Sequence, residues 1–189
     1  MSVIDEILEK TTKKMDKTIT NLAAEFTTIR TGRASAAMLD RIMVDYYGTS
    51  TPVTQLAGIK TPEATMLVVE PWDKQSLNAI VKAIQASDLG ITPSSDGSVI
   101  RLPFPSPTEE RRRELVKQCR QIAEDAKVAV RNERRDANSQ LDRLVKDKEA
   151  DISKDDVKRA QELVQKDTDA HIAEIDEVLR SKESEVMEV

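Results

Sequence analysis

The segment from residue 108 to residue 148 constrains the fold of this chain more than any other stretch. It contains no glycine and no proline, it is rich in Arg, Lys, Glu, Gln, Ala and Leu, and it follows the proline-rich stretch 103–107. Strong helix formers without a breaker predict one long helix, roughly 60 Å in length at about 1.5 Å per residue. Because a helix in a protein takes most of its stability from packing of its apolar side, this segment predicts helical partners.

The predicted helix has an apolar side and a cationic side. Apolar residues recur at three- and four-residue steps, which places them in one stripe that can pack against neighbouring helices. The stripe consists of Leu115, Cys119, Ile122, Ala126, Ala129, Val130, Ala137, Leu141 and Leu144. The opposite side carries Arg113, Lys117, Arg120, Lys127, Arg131, Arg134, Arg135 and Asn138. We therefore expect one side to form a core and the other to present cations.

Positive charge is concentrated in this segment. The whole chain has 29 Lys and Arg residues against 34 Asp and Glu residues, a net charge of −5, whereas residues 108–148 carry twelve against nine and residues 149–189 carry six against thirteen. A chain with this acidic balance is not an indiscriminate nucleic-acid binder, so an RNA or DNA partner would have to meet a local patch. The pattern leaves two interpretations open: a solvated helix face, or a contact surface for an anionic partner.

The composition favours helical packing of aliphatic side chains. Of the 189 residues, 39% are hydrophobic but only 3% are aromatic. The single cysteine, Cys119, lies on the apolar stripe, so we interpret it as a core residue of a protein in a reducing compartment, with a catalytic thiol as the alternative. No stretch approaches eighteen consecutive apolar residues, which predicts a soluble protein without a membrane partner.

Two further segments predict long helices with one apolar stripe each. Residues 2–30 begin with the potential cap Ser2, and Gly32 follows as a natural terminator. The other helix is predicted to begin near Ser153, which forms a Ser-x-x-Asp capping pattern with Asp156. Three such helices predict an elongated, antiparallel three-helix bundle made of residues 1–30 and 108–189.

Between the first two long helices the sequence becomes β-rich. Predicted strands lie at 41–47, 51–59, 65–70, 91–92 and 98–102, and a predicted helix at 76–87 has Asp73 as its cap. Residues 93–97 read as a turn. Residues 34–102 therefore predict a small β/α/β domain inserted into the bundle, which makes the fold class α+β.

Residue patterns for catalysis, metals and cofactors are absent from the sequence. There is no glycine-rich phosphate loop, and one Cys with one His cannot form a structural zinc site. His171 falls at an inward position of the third long helix and is interpreted as a packed histidine. We therefore predict a protein that is not an enzyme and has no cofactor. Two alternatives are a structural adaptor that binds partner helices and a hydrolase with its site in the small domain.

Several motifs, in one order along the chain, resemble the bacterial ribosome recycling factor family. They are Ile29-Arg30-Thr31-Gly32-Arg33-Ala34-Ser35, Val44-Asp45-Tyr46-Tyr47-Gly48-Thr49, Ala86-Ser87-Asp88-Leu89-Gly90, Ile100-Arg101-Leu102-Pro103, Thr108-Glu109-Glu110-Arg111-Arg112, Val128-Ala129-Val130-Arg131-Asn132 and Arg134-Arg135-Asp136-Ala137-Asn138. The resemblance implies an L-shaped protein in which a three-helix bundle and a β/α/β domain are joined by two hinge strands. It also implies binding in the intersubunit space of the ribosome after termination, and splitting of the ribosome together with elongation factor G and its GTP hydrolysis.

The resemblance also implies site residues. The arginines that the family places on large-subunit ribosomal RNA match Arg131, Arg134 and Arg135, and Arg30 matches another family position; Lys127 is carried over as a supporting charge. Arginine suits this role because its planar donors fit phosphate and stack on exposed bases. The hinge strands correspond to residues 31–33 and 103–107. Their named members are Thr31, Gly32, Arg33, Pro103, Pro105 and Pro107.

One position departs from the family pattern. Glu133 stands between Arg131 and Arg134, where bacterial members often have an apolar residue, and it falls near the inward side of the helix. It is expected to be paired or to lie at the bundle edge. The resemblance implies a monomer in the bacterial cytoplasm, with a plastid stroma or a mitochondrial matrix as the alternative.

Overall fold

The computed structural model describes residues 2–147 and 152–189, and it confirms the α+β class. Four α-helices are present in this part of the chain: α1 (Val3–Thr28), α2 (Leu77–Gln85), α3 (Glu109–Lys146) and α4 (Lys154–Met187). Six strands lie between α1 and α3: β1 (Met43–Tyr46), β2 (Thr49–Pro52), β3 (Ala57–Glu63), β4 (Met66–Pro71), β5 (Ser94–Ser95) and β6 (Ile100–Pro103). The predicted end of the long helix at Lys148 lies outside the described residues.

Polar caps fix where the long helices begin. At α1 the Ser2 hydroxyl accepts from the backbone N–H of Asp5 while the Asp5 carboxylate accepts from the backbone N–H of Ser2, a complete capping box. At α4 the Ser153 hydroxyl accepts from the N–H of Asp156 at 3.1 Å, as its sequence pattern predicts. These bonds satisfy N–H groups that have no partner within the helix.

The long helices bury their apolar stripes against one another. Ile7 of α1, Leu141 of α3 and Val164 of α4 belong to one core cluster, with Ala137 and Ala160 allowing close approach of the backbones. Thr11 of α1 and Thr168 of α4 are also buried, and each hydroxyl donates to the backbone carbonyl four residues earlier in its own helix. Because the stripes meet in a common core, α1, α3 and α4 form the bundle that the sequence pattern predicts.

The strands form two antiparallel arrangements. A hairpin pairs β1 with β2, and a four-stranded sheet has the order β3-β4-β6-β5. Alternate residues of the central strand, Leu67 and Val69, are buried in one core with Ile100 of β6 and with Ile80 and Ile84 of α2. The helix therefore covers one face of the sheet, and this core is separate from that of the bundle.

Two strand predictions were wrong. Residues 51–59 do not form one strand, because a 3₁₀ turn at Val53–Gln55 separates β2 from β3 and buries Val53. Residues 91–92 are not a strand, and the short strand β5 lies instead within the predicted turn, where Ser95 pairs with Ile100. Both errors concern which short segments pair, which depends on the partner strand more than on local propensity.

The chain divides into two compact units. One contains Met1–Ile29 and Arg113–Ser184, and the other contains Arg30–Arg112 and Glu185–Val189. The second unit includes the small sheet domain, the two predicted hinge segments and the last five residues, which the sequence prediction had assigned to the bundle.

Candidate nucleic-acid interface

Helix α3 carries the predicted RNA-binding residues Arg131, Arg134 and Arg135 outside its buried stripe. Leu115, Cys119, Ala123, Val130, Ala137 and Leu141 are buried. The predicted cations Arg131, Arg134 and Arg135 lie between the turns that bury Val130 and Ala137, and all three are partly or fully exposed. The helix backbone thus holds these three guanidinium groups within about one turn of each other.

In the first half of α3, two of the predicted cations form ion pairs with carboxylates of α4. The Arg120 Nε atom lies 2.6 Å from Oε1 of Glu183, and Lys127 Nζ lies 2.6 Å from Oδ1 of Asp176 and 3.1 Å from Oε1 of Glu124. The Lys127 side chain is only 12% exposed. Its hydrogen bond to Asp176 raises its pKa despite the opposing effect of burial. Lys127 therefore joins two helices, and it is a weak candidate for a phosphate contact.

In the second half of α3, the predicted cations Arg131, Arg134 and Arg135 have different neighbours. No carboxylate among residues 2–147 and 152–189 forms an ion pair with Arg131, Arg134 or Arg135. Arg134 Nη1 donates to the neutral side chain of Gln165 on α4 at 3.1 Å, which orients the guanidinium without cancelling its charge. These three arginines retain their full charge for an external anion.

A groove of about 470 Å³ extends from Arg134 and Arg135 toward the C-terminal end of α3. Its lining consists of Arg134, Arg135, Asn138, Ser139, Asp142, Arg143, Lys146 and Gln165. Its one carboxylate, Asp142, accepts a hydrogen bond from Gln161 of α4 at 2.8 Å. Four cations against one anion make the groove a candidate site for phosphate groups.

The sequence prediction missed two of the four cations that line this groove. Arg143 and Lys146 are exposed and follow Arg135 by eight and eleven residues. Residues at these intervals share one side of an α-helix, so extending the spacing of the predicted arginines would have found them. Arg131 lies on the same helix but does not line the groove.

Glu133 is paired. Its Oε2 atom lies 2.8 Å from Nζ of Lys14 on α1, and the hydrogen bond to this carboxylate raises the pKa of Lys14. A carboxylate therefore occupies the inward side of α3 because α1 supplies a cation there. The Lys14 ammonium group also compensates the negative charge of Glu133, which would otherwise act on the neighbouring arginines.

Arg30 and the predicted hinge residues belong to the other compact unit. Arg30 is exposed directly after the end of α1. Thr31 is buried and donates to Glu185 Oε1 at 3.3 Å, while Arg33 Nη1 lies 3.6 Å from Glu188 Oε2. Gly32 has a φ of 81°, and a Cβ there would lie 3.1 Å from Cδ of Pro107. This close approach and backbone angle both require glycine.

His171 is buried in the bundle and bonded through both ring nitrogens. Nε2 lies 3.0 Å from Oδ1 of Asp16 on α1, and Nδ1 lies 2.8 Å from the carbonyl oxygen of Asp167. Burial disfavours the charged ring, but the bonds to Asp16 and Asp167 outweigh it and raise the pKa of His171. This geometry joins helices, and Cys119 is likewise buried in the core. Within the described residues, no cluster of three His, Cys, Asp or Glu side chains could hold a metal ion.

The whole length of the chain has known relatives. A family model described as ribosome recycling factor matches residues 22–187. The ribosome-recycling factor of Syntrophomonas wolfei is 54% identical over 187 residues, covering 99% of this chain and all of the relative. That of Bacillus cytotoxicus is 52% identical over 184 residues, covering 97% and 98%.

The chain belongs to the ribosome recycling factor family.

Solved structures of ribosome recycling factors share the fold. A solution structure of a ribosome recycling factor covers both chains completely, with 41% identity and a TM-score of 0.70. A second similar chain comes from models of the T. thermophilus ribosome recycling factor and the E. coli elongation factor G bound to the E. coli post-termination complex. It is 41% identical, covers 98% of this chain and 99% of that one, and has a TM-score of 0.61. The resemblance found in the sequence motifs is thereby confirmed.

The arginines predicted to bind ribosomal RNA lie within the part of the chain that matches the ribosome recycling factor family model. Across residues 2–147 and 152–189, no helix has the length and apolar character needed to cross a bilayer.

Proposed function

We propose that this protein binds the post-termination ribosome and, together with elongation factor G and GTP, splits it into subunits that can be used again. Membership of the ribosome recycling factor family supports this role. So does the similarity to a recycling factor in models that also contain elongation factor G and the post-termination complex. In this proposal the protein acts by binding, and GTP hydrolysis belongs to elongation factor G.

The observation that carries the proposal is the unpaired cationic half of α3. Arg131, Arg134 and Arg135 have no carboxylate partner in the described structure, and the adjacent groove adds Arg143 and Lys146. RNA is recognised largely through its backbone and shape, and arginine offers planar donors that match phosphate oxygens. We infer that this half of α3 contacts large-subunit ribosomal RNA.

The paired cations have a different role in this proposal. Arg120 and Lys127 are held by Glu183 and Asp176, and releasing them would cost the helix–helix ion pairs that they form. The ribosomal RNA contact is therefore centred on Arg131, Arg134 and Arg135. Arg30 and Lys127 stay predictions from the family pattern, as do the hinge strands at residues 31–33 and 103–107 that would join the bundle to the small domain at 34–102.

Co-sedimentation with ribosomes at low and moderate salt tests the RNA contact. The test variant carries Arg131→Ala, Arg134→Ala and Arg135→Ala. A matched control carries Lys10→Ala, Lys17→Ala and Lys166→Ala, which removes the same charge at exposed positions of α1 and α4. Circular dichroism of each variant should show the helical content of the natural chain, which makes the comparison one of folded proteins.

The natural chain and the control are expected to pellet with ribosomes at low salt, while the arginine variant stays in the supernatant. Equal pelleting of both variants would place the RNA contact elsewhere. A subunit-splitting assay with elongation factor G and GTP then tests the complete role, since a chain that binds ribosomes without splitting them lacks the proposed function.

A further inference from the structure

Two ion pairs between α3 and α4 follow one regular register. Arg120 pairs with Glu183, and Lys127 pairs with Asp176. From the first pair to the second, the position advances seven residues along α3 and recedes seven residues along α4. This is the repeat expected of antiparallel helices whose contacts recur every two turns. The register therefore predicts a third ion pair two turns further along α3.

The two residues at the third position have opposite charges but do not form an ion pair. They are Arg134 of α3 and Asp169 of α4. Gln165, one turn before Asp169, bonds to both of them. Its Oε1 accepts from Nη1 of Arg134 at 3.1 Å, and its Nε2 donates to Oδ1 of Asp169 at 2.8 Å. A neutral amide thus links the cation to the anion at the place where the register predicts direct contact.

An amide suits this position because it carries an acceptor and a donor on one uncharged group. The oxygen of Gln165 satisfies one N–H of the guanidinium, and the nitrogen satisfies one lone pair of the carboxylate. Both charged groups therefore have a hydrogen bond without meeting each other. Arginine has five N–H donors in its guanidinium, and the bond to Gln165 uses one of them, so the planar group is held in place with donors left for a further acceptor.

Direct contact with Asp169 would change what Arg134 can bind. A carboxylate can accept two parallel N–H bonds from a guanidinium, and the positive charge is then compensated inside the protein. A phosphate group would have to displace that carboxylate before it could bind. Arg134 and Gln165 both line the groove described above, and Asp169 is not among its lining residues. The carboxylate is therefore held outside the groove.

We propose that Gln165 is a positioning residue for the binding of ribosomal RNA. It orients the guanidinium of Arg134 in the groove and prevents Asp169 from pairing with it. The inference rests on the proposed function, in which Arg134 contacts ribosomal RNA. Because Gln165 acts through these two residues, its effect on ribosome binding requires both of them.

The test measures the affinity of the full chain for ribosomes at about 0.1 M salt, where phosphate contacts contribute strongly. Gln165→Ala removes the amide and lets Asp169 reach Arg134. A second variant combines Gln165→Ala with Asp169→Asn, which removes the carboxylate as well. A third variant combines Gln165→Glu with Asp169→Asn. It exchanges an amide and a carboxylate between neighbouring turns of α4 and leaves the net charge of the chain unchanged.

Two controls accompany these variants. Arg134→Ala gives the loss of affinity that follows when the cation is absent. Gln165→Ala combined with Glu177→Gln is matched to the second variant, since it removes one exposed carboxylate from a different part of α4. It separates the position of the removed charge from its effect on net charge.

We expect Arg134→Ala to weaken binding about tenfold, because one phosphate contact is lost. Gln165→Ala should weaken binding about threefold or more, and Asp169→Asn should restore most of this loss, whereas Glu177→Gln should not. The exchange variant should bind about as weakly as Arg134→Ala although its net charge is that of the natural chain. Added to Arg134→Ala, Gln165→Ala should have no further effect. A purely structural role for Gln165 would not produce recovery through Asp169→Asn.

Three results would overturn the inference alone: natural affinity in Gln165→Ala, equal recovery with Glu177→Gln and with Asp169→Asn, or natural affinity in the exchange variant. In each of these cases Arg134→Ala still weakens binding, so the proposed RNA contact stands. If Arg134→Ala binds ribosomes as tightly as the natural chain does, the contact at Arg134 fails and the inference fails with it.

Discussion

The ammonium nitrogen of Lys14 on α1 lies 2.8 Å from Oε2 of Glu133 on α3, and this pair spans 119 residues of sequence. It lies on the helix turn that carries Arg131 and Arg134. A carboxylate in the middle of an arginine cluster would weaken the attraction of the cluster for an anion, but here the Lys14 ammonium group of α1 compensates that carboxylate. A residue of another helix therefore balances the one carboxylate that α3 carries between Arg131 and Arg134.

We expect the Lys14–Glu133 pair to contribute little to stability. Both side chains are partly exposed, so a double-mutant cycle of Lys14→Ala and Glu133→Ala should give a coupling free energy of about 1 kcal/mol or less. Urea unfolding followed by circular dichroism measures it. A coupling above about 2 kcal/mol would contradict the solvent-screened account of this pair.

Ribosome binding should weaken steeply with salt. If α3 meets four to six phosphates, the logarithm of the affinity should fall against the logarithm of the salt concentration with a slope of about −3 to −5. Co-sedimentation across a salt series measures the slope. Binding that is indifferent to salt would mean that the contact does not depend on the arginine charges.

Removing the groove cations that the sequence prediction missed should flatten this salt dependence. In the variant with Arg143→Ala and Lys146→Ala, the magnitude of the slope should decrease by about one to two. Each lost phosphate contact reduces the magnitude of the slope by about one. The control with Lys10→Ala and Lys17→Ala removes the same charge from α1 and should keep the full slope. If both variants flatten it equally, net charge and not the groove is responsible.

The bundle should lose stability as the pH rises through the pKa of His171. Because bonds to Asp16 and Asp167 raise this pKa above its ordinary value of 6.5, the protonated ring stabilises the folded state. That contribution is complete below the unfolded-state pKa and is lost as the pH passes the folded-state pKa. The free energy of unfolding in urea should therefore be higher at about pH 6 than at about pH 9.

The variant His171→Gln tests the source of this pH dependence. It should lower the free energy of unfolding by about 1–3 kcal/mol at about pH 6, because it leaves Asp16 without its charged partner. It should also remove most of the decline between the two pH values. Asp16→Asn should reduce the decline without abolishing it, since the bond to the Asp167 carbonyl is retained. An unaltered decline in His171→Gln would assign it to other groups.

Gly32→Ala should destabilise the second compact unit more than an alanine at a roomier glycine. At Gly32 the added methyl meets Pro107 at 3.1 Å on top of a backbone φ of 81°, and a loss of about 2–3 kcal/mol is expected. Gly97→Ala is the control, because Gly97 has a φ of 90° but no atom within 4 Å of the added methyl. It should show the backbone cost alone, about 1–2 kcal/mol. Equal losses in thermal or urea unfolding would mean that the Pro107 contact yields without cost.

Local sequence signals were sufficient for the helices. The predicted segments 2–30, 76–87 and 108–148 correspond to α1, α2 and α3 with small differences at their ends, and Ser153 caps α4 as its pattern predicts. Helix formation depends on residues within about four positions of each other, so breakers, caps and apolar spacing report it directly.

The small domain was less predictable. The segment 51–59 breaks at Val53–Gln55, and Ser94–Ser95 pairs with β6 although its residues read as a turn. Strand pairing joins residues that are distant in sequence, so short segments become strands only where a partner offers its hydrogen bonds. The side chains of Tyr47 and Trp72 are 74% and 72% exposed, and the sequence did not predict this, because exposure is a property of the folded domain.

The sequence by itself determined the class of fold, the three long helices, the cationic side of α3 and the family to which the chain belongs. Only the tertiary structure decided which of those cations are available. Lys127 and Arg120 meet carboxylates of α4, Arg134 meets a neutral amide, and Glu133 meets Lys14 of α1. Helical periodicity fixes the side of a helix on which a charge lies. The rotation and axial register of the neighbouring helices fix which partner it meets, and these are set by core packing between residues far apart in the chain.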